Sequence, residues 1–300
     1  MSRGIYITAN DRVLEQAIAL LKSIRVWDPD TPVVIIPFDD NYHQVEAALR
    51  EYGVKVYENL DFVKSLSQQL FDIFGEKFFN TPNKLRKQAC WFGEFDEFIY
   101  IDTDIVVFEK IIDNLDYFSD CDFINCDYQY KNGMTNVFTS KVLEDGGFDE
   151  TDLQDTFNSG FWASKKALMS KEKLESVFRD CAAHPEYFDF SQKTTDQPIL
   201  NYTILKCTSR RLNLVRQPGC EAGNWAGSPN FKREGDRLID ANTNCPLKFL
   251  HWAGIRIEPG CPYWEIWEHY RYLNEARPER YPQVRPSPNF WQRVKAKLGL

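Results

Sequence analysis

The chain has 300 residues, of which 43% are hydrophobic and 15% aromatic, so it can build a sizeable buried core. Its net charge of −8 argues against a general nucleic-acid binder, and no window approaches the roughly 18 to 20 consecutive apolar residues of a membrane span. Residues 1–11 lack the features of a signal peptide, so we expect a cytoplasmic protein. The eight cysteines are scattered without zinc-like spacing, and we expect reduced thiols.

The first hundred residues alternate between short apolar runs and amphipathic segments. In chain order, we predict a strand at 4–8, a helix at 13–24, a strand at 31–38, a helix at 45–52, a strand at 54–57, and helices at 64–74 and 83–91. Such alternation is typical of a parallel sheet with helices on both faces. A sheet of this kind binds ligands beyond the carboxyl ends of its strands.

The carboxyl half is less regular. In chain order, we predict a strand at 123–126, a loop at 128–155, a strand at 157–163, helices at 165–181 and 195–205, an irregular region at 216–246 and a short strand at 248–251. The chain shows neither an internal repeat nor a linker. We therefore expect one α/β domain over residues 1–276, with a nucleotide-binding part at about 1–107 and a sugar and acceptor part at about 108–276.

Residues 277–300 form a basic, aromatic tail. It has six Arg or Lys residues and one Glu, and Phe290, Trp291, Val294 and Leu298 fall near one helical face. This pattern suits peripheral contact with an anionic membrane surface. A terminal helix that packs on the core through the same apolar face explains the pattern equally well.

Two carboxylates interrupt an apolar run, F-I-Y-I-D-T-D-I-V-V-F, at residues 98–108. Asp102 and Asp104 project from the same face of an extended segment, so both could ligate one hard divalent ion such as Mg²⁺ or Mn²⁺. The alternative is a turn of two solvated aspartates after a buried strand. The loop at 8–11 also follows a predicted strand, and the two turns could face one crevice.

The last predicted strand ends in a histidine, and the sequence continues as H-W-A-G-I-R. A single histidine in this position is most often a core or surface residue. Here Gly254 permits a close approach of backbone to a ligand, and Arg256 suits phosphate oxygens. A cation held by Asp102, Asp104 and His251, with the arginine beside it, would be placed to bind a diphosphate.

Two further polar segments offer contacts to a sugar. Asn158, Ser159 and Gly160 occur in F-N-S-G-F-W-A-S, where an amide could hold sugar hydroxyls and the glycine could leave room for the ring. A local turn at the start of a strand is the alternative. Asp196 and Gln197 begin D-Q-P-I-L-N in the first turn of a predicted helix, where helix capping alone would also account for them.

Taken together, these motifs resemble glycosyltransferase family 8. The segments that carry the resemblance are Y-I-T-A-N-D, K-L-R, F-I-Y-I-D-T-D, F-N-S-G, D-Q-P-I-L-N and H-W-A-G-I-R, and they span residues 5–256. The resemblance implies a GT-A fold, a nucleotide-sugar donor such as a UDP-sugar, Mn²⁺ (or Mg²⁺) as cofactor, and transfer with retention of configuration.

The resemblance also implies roles for individual residues. The metal ligands would be Asp102, Asp104 and His251. The donor pocket would include this aspartate pair together with Thr8, Ala9, Asn10, Lys84, Arg86, Thr103, Gly254 and Arg256. The transferred sugar would meet Asp127, Asn158, Ser159, Gly160, Asp196 and Gln197. Gln197 and Asp196 are then the catalytic candidates, unless the leaving phosphate itself assists the attack, because carboxylates that ligate a metal cannot also act as the base.

One motif departs from the family. The usual H-x-x-G-x-x-K-P-W lacks its lysine here, where Arg256 is followed by Ile257, Glu258 and Pro259. Arg256 could replace the lysine, although the two differ in how they bind phosphate. The altered motif is also compatible with a non-catalytic domain that binds a nucleotide or glycan.

A second enzymatic alternative is a haloacid-dehalogenase-like phosphatase, because D-T-D-I-V resembles its nucleophile motif. In such phosphatases the motif usually follows the first strand, whereas three strand-like segments precede it here. The acceptor of a transferase, whether saccharide, lipid or protein, is not defined by the sequence.

Overall fold

The computed structural model describes residues 1–75, 78, 81–127, 137–190, 196–235 and 237–279. Strands and helices alternate through the amino-terminal part, in the order β1 (Arg3–Ala9), α1 (Leu14–Trp27), β2 (Val33–Pro37), α2 (His43–Arg50), β3 (Lys55–Val56), α3 (Leu60–Phe74), β4 (Glu97–Ile101) and β5 (Ile105–Val107). Two segments with 3-10 hydrogen bonding complete this part, a short one at Asp11–Val13 and a longer one at Pro82–Phe92.

The carboxyl-terminal part contains β6 (Phe123–Asn125), α4 (Lys141–Glu144), α5 (Glu150–Leu153), β7 (Phe161–Lys165), α6 (Lys171–Ala182), α7 (Asp196–Cys207), β8 (Arg211–Asn213), β9 (Phe231–Glu234), β10 (Arg237–Asp240), β11 (Cys245–Pro246), β12 (Phe249–His251) and α8 (Trp264–Arg271). Further 3-10 segments lie at Ile111–Ser119, Lys166–Leu168, Pro185–Tyr187 and Leu214–Arg216.

Seven of the strands form one central sheet in the order β3-β2-β1-β4-β7-β6-β8. The first four are mutually parallel, and β8 is parallel to β6, whereas β7 runs antiparallel to both of its neighbours. The predicted mostly parallel sheet flanked by helices is therefore confirmed. The antiparallel strand β7 was not evident from the sequence.

Parallel pairing aligns the carboxyl ends of the central strands. Ile7 lies opposite Ile101, and Ala9 lies opposite Pro37, so β1, β2 and β4 end side by side. The loop after β1 and the turn that begins at Asp102 consequently share one edge of the sheet, as the alternation of strands and helices predicted.

Both faces of the sheet are buried, which explains why its strands are almost continuously apolar. Tyr6 and Tyr100 pack with side chains of α3, α6 and α7 on one face. Ile5, Ile7 and Ile99 pack with side chains of α1 and α2 on the other. Each fully buried side chain of this size stabilises the fold by about 1.5–3 kcal/mol relative to an exposed one, so the edge that carries the polar residues is held by a rigid core.

The region predicted as irregular, 216–246, contains a small antiparallel sheet in the order β11-β10-β9. Its strands were missed because their exposed positions carry charged residues, as in F-K-R-E, and they lack a continuous apolar run. This small sheet packs on a third hydrophobic cluster that also includes residues of α8.

Three predicted boundaries were wrong. The helix predicted at 64–74 begins at Leu60, because the side chain of Asn59 caps it there. The strand predicted at 157–163 begins only at Phe161, because the Asn158 side chain accepts a hydrogen bond from the backbone N–H of Gly160 and closes a turn. The helix predicted at 165–181 begins at Lys171, where the side chain of Ser170 caps it.

Some predictions concern parts of the chain that the structure leaves undescribed. Residues 280–300, which make up most of the basic tail, lie outside the described residues, and so do residues 128–136 of the predicted loop. The boundary at residue 276 and the division near residue 107 stay predictions. In the described portion of the chain, no helix combines the length and apolar character that a bilayer crossing requires.

Candidate active site

The three predicted metal ligands meet at the carboxyl edge of the sheet. Asp102 follows β4 directly, and Asp104 precedes β5. Strand β12 pairs antiparallel with β5 so that His251 lies opposite Ile105. The potential ligand atoms of Asp102, Asp104 and His251 all lie within 4.8 Å of one another, and His251 Nε2 is 3.3 Å from Asp104 Oδ1.

The two aspartates lie in different surroundings. Burial raises the pKa of Asp102, and the nearby charge of Asp104 adds to this effect. The hydroxyl of Tyr100 donates to Asp102 Oδ1 at 2.7 Å. Burial would also raise the pKa of Asp104, but the charge and hydrogen bond of His251 outweigh it and lower the pKa.

Two adjacent carboxylates and an imidazole make a donor set suited to a divalent cation. Burial would lower the pKa of His251, but the charges of Asp104 and Asp102 raise it. The cluster therefore already favours positive charge next to its carboxylates. The side chain of Asp104 keeps 29% of its surface exposed, so a ligand can approach from solvent. Oxygen ligands with one nitrogen are chemically suited to Mn²⁺ and Mg²⁺.

Gly160 lies directly against the metal cluster. A Cβ at this position would come within 2.3 Å of His251 Cε1, so only glycine allows the imidazole to occupy its place. The carbonyl of Gly160 accepts a hydrogen bond of 2.8 Å from the backbone N–H of Asp102. The sequence predicted that this glycine leaves room for a sugar ring, and that contact stays a prediction; the space that a Cβ would fill is occupied by His251.

The predicted sugar-binding residues also converge. Asp127 follows β6, and its Oδ2 accepts a hydrogen bond of 2.7 Å from the backbone N–H of Asn158. The backbone N–H of Ser159 donates to Gln197 Oε1 at 3.3 Å, which connects the turn before β7 to the first turn of α7. Residues from three distant segments therefore form one polar wall next to the metal cluster.

Lys87 is a site residue that was not recognised in the sequence. Its buried ammonium forms an ion pair with Asp196 and lies 4.9 Å from the centroid of the Tyr100 ring. Burial would lower the pKa of Lys87, but the carboxylates of Asp196 and Asp102 raise it. In the sequence, Lys87 directly follows Arg86. Arg86 and Lys84 were recognised as candidate donor residues, whereas nothing distinguished Lys87 from a surface lysine.

The loop after β1 and the helical segment before β4 form the other side of the edge. Thr8 and Ala9 are the last residues of β1, and the Asn10 side chain caps the 3-10 segment that leads into α1. Arg86 Nη1 donates to the carbonyl oxygen of Pro37, the residue opposite Ala9, at 2.9 Å. The predicted nucleotide-pocket residues of these two segments are thus adjacent to the same strand ends.

The remaining predicted donor residues differ in how close they lie to the cluster. Thr103 is buried between the two aspartates, and Lys84 is half-buried. Gly254 has a φ of 71°, the left-handed conformation that glycine adopts without strain. The guanidinium of Arg256 pairs with Glu258 at 3.1 Å, and its side chain is 69% exposed. Its use in place of the family's lysine stays a prediction.

Comparison with solved structures gives extensive similarity at low sequence identity. The galactosyltransferase LgtC, solved in complex with donor and acceptor sugar analogs, matches with a TM-score of 0.61 and 16% identity over 92% of this chain and 98% of LgtC. The bifunctional glycosyltransferase WbbM matches with a TM-score of 0.55 and 15% identity over 91% of this chain and 50% of WbbM. The glycosyltransferase GlyE of Streptococcus pneumoniae TIGR4 matches with a TM-score of 0.52 and 15% identity over 91% of this chain and 61% of GlyE.

These similarities establish the GT-A fold for this chain, as the sequence predicted. The chain covers nearly all of LgtC but only part of WbbM and GlyE. Sequence comparisons with known protein families and with curated proteins find no match. A shared fold does not define the activity, which depends on the chemistry of the site.

Proposed function

We propose that the protein is a metal-dependent glycosyltransferase that moves a sugar from a nucleotide-diphosphate sugar, foremost a UDP-sugar, to an acceptor with retention of configuration. The observation that carries this proposal is the cluster of Asp102, Asp104 and His251 at the carboxyl edge of a GT-A sheet. LgtC, which has the same fold, was solved with donor and acceptor sugar analogs, and this supports a sugar donor here.

Asp102, Asp104 and His251 would hold Mn²⁺ or Mg²⁺. The ion would offset the negative charge of the donor's diphosphate and of the departing nucleoside diphosphate. The chain contributes the fixed orientation of the ligands, because Tyr100 holds Asp102 by a hydrogen bond and Gly160 leaves the space that His251 occupies. The ligands are thereby held in place before a cation binds.

The residues on the other side of the cluster would position the transferred sugar. Lys87 engages the carboxylate of Asp196, and the backbone of Ser159 engages the amide oxygen of Gln197. We therefore propose that Asp196 and Gln197 contact the transferred sugar near its anomeric carbon. The leaving phosphate would assist attack on the same face, because an amide cannot act as the base and the ion pair weakens this carboxylate as a nucleophile.

The phosphatase alternative has no support in the fold. Its nucleophile motif usually follows the first strand, whereas Asp102 follows β4. The non-catalytic alternative predicts that a nucleotide diphosphate binds without release or transfer of the sugar.

Turnover of nucleotide sugars tests the proposal directly. A panel of UDP- and GDP-sugars is incubated with the protein and Mn²⁺, and release of nucleoside diphosphate is measured. We expect release with at least one donor, a loss of at least a hundredfold in Asp104→Asn, and wild-type rates in Asp113→Asn, a matched change at an exposed aspartate. Donor binding without any turnover would support the non-catalytic alternative. The absence of both binding and turnover would overturn the proposal.

A further inference from the structure

A cavity of about 700 Å³ lies away from the candidate active site. Part of its lining comes from the beginnings of β2 and β3 and from the residues ahead of β4, namely Val34, Lys55, Gly93 and Glu94. The cavity therefore lies toward the amino ends of these parallel strands, whereas the metal cluster lies at their carboxyl ends. None of the functions assigned above uses it.

The walls of this cavity are aromatic, and we call it the aromatic cavity. Its rings belong to Tyr6, Tyr57, Phe62 and Phe92. Phe62 and Phe92 meet edge to face with their centroids 5.5 Å apart, and the hydroxyl of Tyr57 donates to the carbonyl of Ala89 at 3.2 Å. Pockets of about 300–1,000 Å³ hold organic ligands, so the cavity has room for aromatic side chains of a partner. Because its walls are already ordered, filling it costs little conformational entropy.

The rim of the aromatic cavity carries more negative than positive charge. Glu58, Glu94 and Lys55 are exposed there, and none of the three forms an ion pair with another described residue. Two carboxylates against one ammonium attract a cationic partner and repel an anionic one, such as an acidic lipid headgroup. The cavity thus suits a partner that is both basic and aromatic.

The chain itself contains a segment with this chemistry. Residues 280–300 lie outside the described residues, but their sequence includes five Arg or Lys residues, no Asp or Glu, and the adjacent pair Phe290 and Trp291. The charge of this segment complements the rim, and its aromatic pair complements the walls.

The chain leads into this segment from a position close to the aromatic cavity. Leu273 and Glu275 line a small surface cavity together with Tyr52. Tyr52 is three residues before Lys55, which lines the aromatic cavity. Fifteen residues separate Glu275 from Phe290, and an extended chain spans about 3.3 Å per residue. The segment is therefore long enough to reach the cavity from Glu275.

We propose that the aromatic cavity binds the chain's own basic tail, with Phe290 and Trp291 between the aromatic walls and the basic residues that follow them near Glu58 and Glu94. This assigns the apolar residues of the tail to the core of the protein and not to a membrane surface. The proposal does not depend on the proposed transferase activity, because the cavity shares no residue with the candidate active site.

Photocrosslinking in the 300-residue chain tests the proposal. p-Benzoyl-phenylalanine is placed at position 291, the protein is irradiated without lipid vesicles, and the crosslinked peptides are identified by mass spectrometry. We expect crosslinks within one chain to residues 55–62 or 92–94. The charge reversal Glu58→Lys/Glu94→Lys should lower their yield at least threefold, and it changes exposed side chains only, so it retains the fold.

The matched control is Glu150→Lys/Glu234→Lys, which reverses two exposed glutamates that do not line the cavity and should leave the yield unchanged. Crosslinks to other segments only, or between two chains only, would overturn the proposal. An equal yield with and without the charge reversal at the rim would do the same. A tail that serves only to bind an anionic membrane would give no crosslink without vesicles, and this result would also overturn it.

Discussion

At the scale of single residues, the site depends on contacts between side chains that are far apart in the sequence. Two aspartates separated by one residue at a strand end, and a histidine at another strand end, could be recognised from the sequence, because both positions fall at the edge where parallel sheets bind ligands. Lys87 could not be assigned, because its partner Asp196 lies on a different element and only the tertiary structure brings them together.

Gly160 is expected to control the position of His251. In Gly160→Ala, the new Cβ would lie within 2.3 Å of His251 Cε1, so the imidazole must move away from the aspartates. We expect an affinity for Mn²⁺ at least tenfold weaker than wild type, in the range that follows loss of a residue that orients a ligand, about 10- to 100-fold. Electron paramagnetic resonance of free Mn²⁺ measures it, and unchanged affinity in a folded variant would show that Gly160 does not position His251.

Lys87 is expected to stabilise the fold through its ion pair with Asp196. Lys87→Met would leave the carboxylate of Asp196 without its buried partner, a change that typically costs about 3–5 kcal/mol. We expect a lower free energy of unfolding in urea, and partial recovery in the double variant Lys87→Met/Asp196→Asn, which removes the unpaired charge. Equal stability of the single variant and the wild type would mean that the ion pair contributes nothing.

At the scale of secondary-structure elements, the sequence predicted those with a strong period and missed those without one. β1, β2 and β4 are almost continuously apolar because both faces of the sheet are buried, and α1 shows clear helical spacing. β9 has only one buried residue, so its sequence does not differ from that of a loop. The turn before β7 was read as strand because its side-chain hydrogen bonds are not visible in an apolar pattern.

The buried side chain of Asn201 attaches helix α7 to Phe157, next to the turn before β7. Its amide accepts from the N–H of Phe157 at 2.8 Å, and donates to the carbonyl of the same residue at 2.8 Å and to that of Gln197 at 2.9 Å. Asn201→Leu would leave the buried N–H and carbonyl of Phe157 without this partner, at about 1–3 kcal/mol each. We expect the free energy of unfolding to fall by about 3 kcal/mol or more.

The matched control for this change is Thr203→Val on the same helix. Thr203 is also fully buried, but among the described residues its hydroxyl bonds only to the carbonyl of Ile199 in its own helix. Urea denaturation should show a smaller loss for Thr203→Val than for Asn201→Leu. A loss of equal size in both variants would contradict the role of Asn201 as the connection between α7 and the turn.

At the scale of the whole molecule, the fold brings distant parts of the chain to one edge. The amino-terminal strands supply Thr8, Asn10 and the aspartate pair, whereas His251 arrives on β12 after the small sheet. The sequence predicted a parallel sheet and a shared edge, but not the insertion of β7 between β4 and β6, because strand order depends on packing between distant segments. The GT-A fold followed from the motifs, and the likeness to solved glycosyltransferases confirms it.

We propose that Asp102, Asp104 and His251 hold a divalent cation against a nucleotide diphosphate. Calorimetric titration of UDP, with and without Mn²⁺, tests it most directly, because a bridging cation couples the two binding events. We predict that Mn²⁺ strengthens UDP binding at least tenfold in the wild type and has no effect in Asp102→Asn/Asp104→Asn. An affinity for UDP that is the same with and without Mn²⁺ in the wild type, or equally Mn²⁺-dependent in the double variant, would contradict the claim.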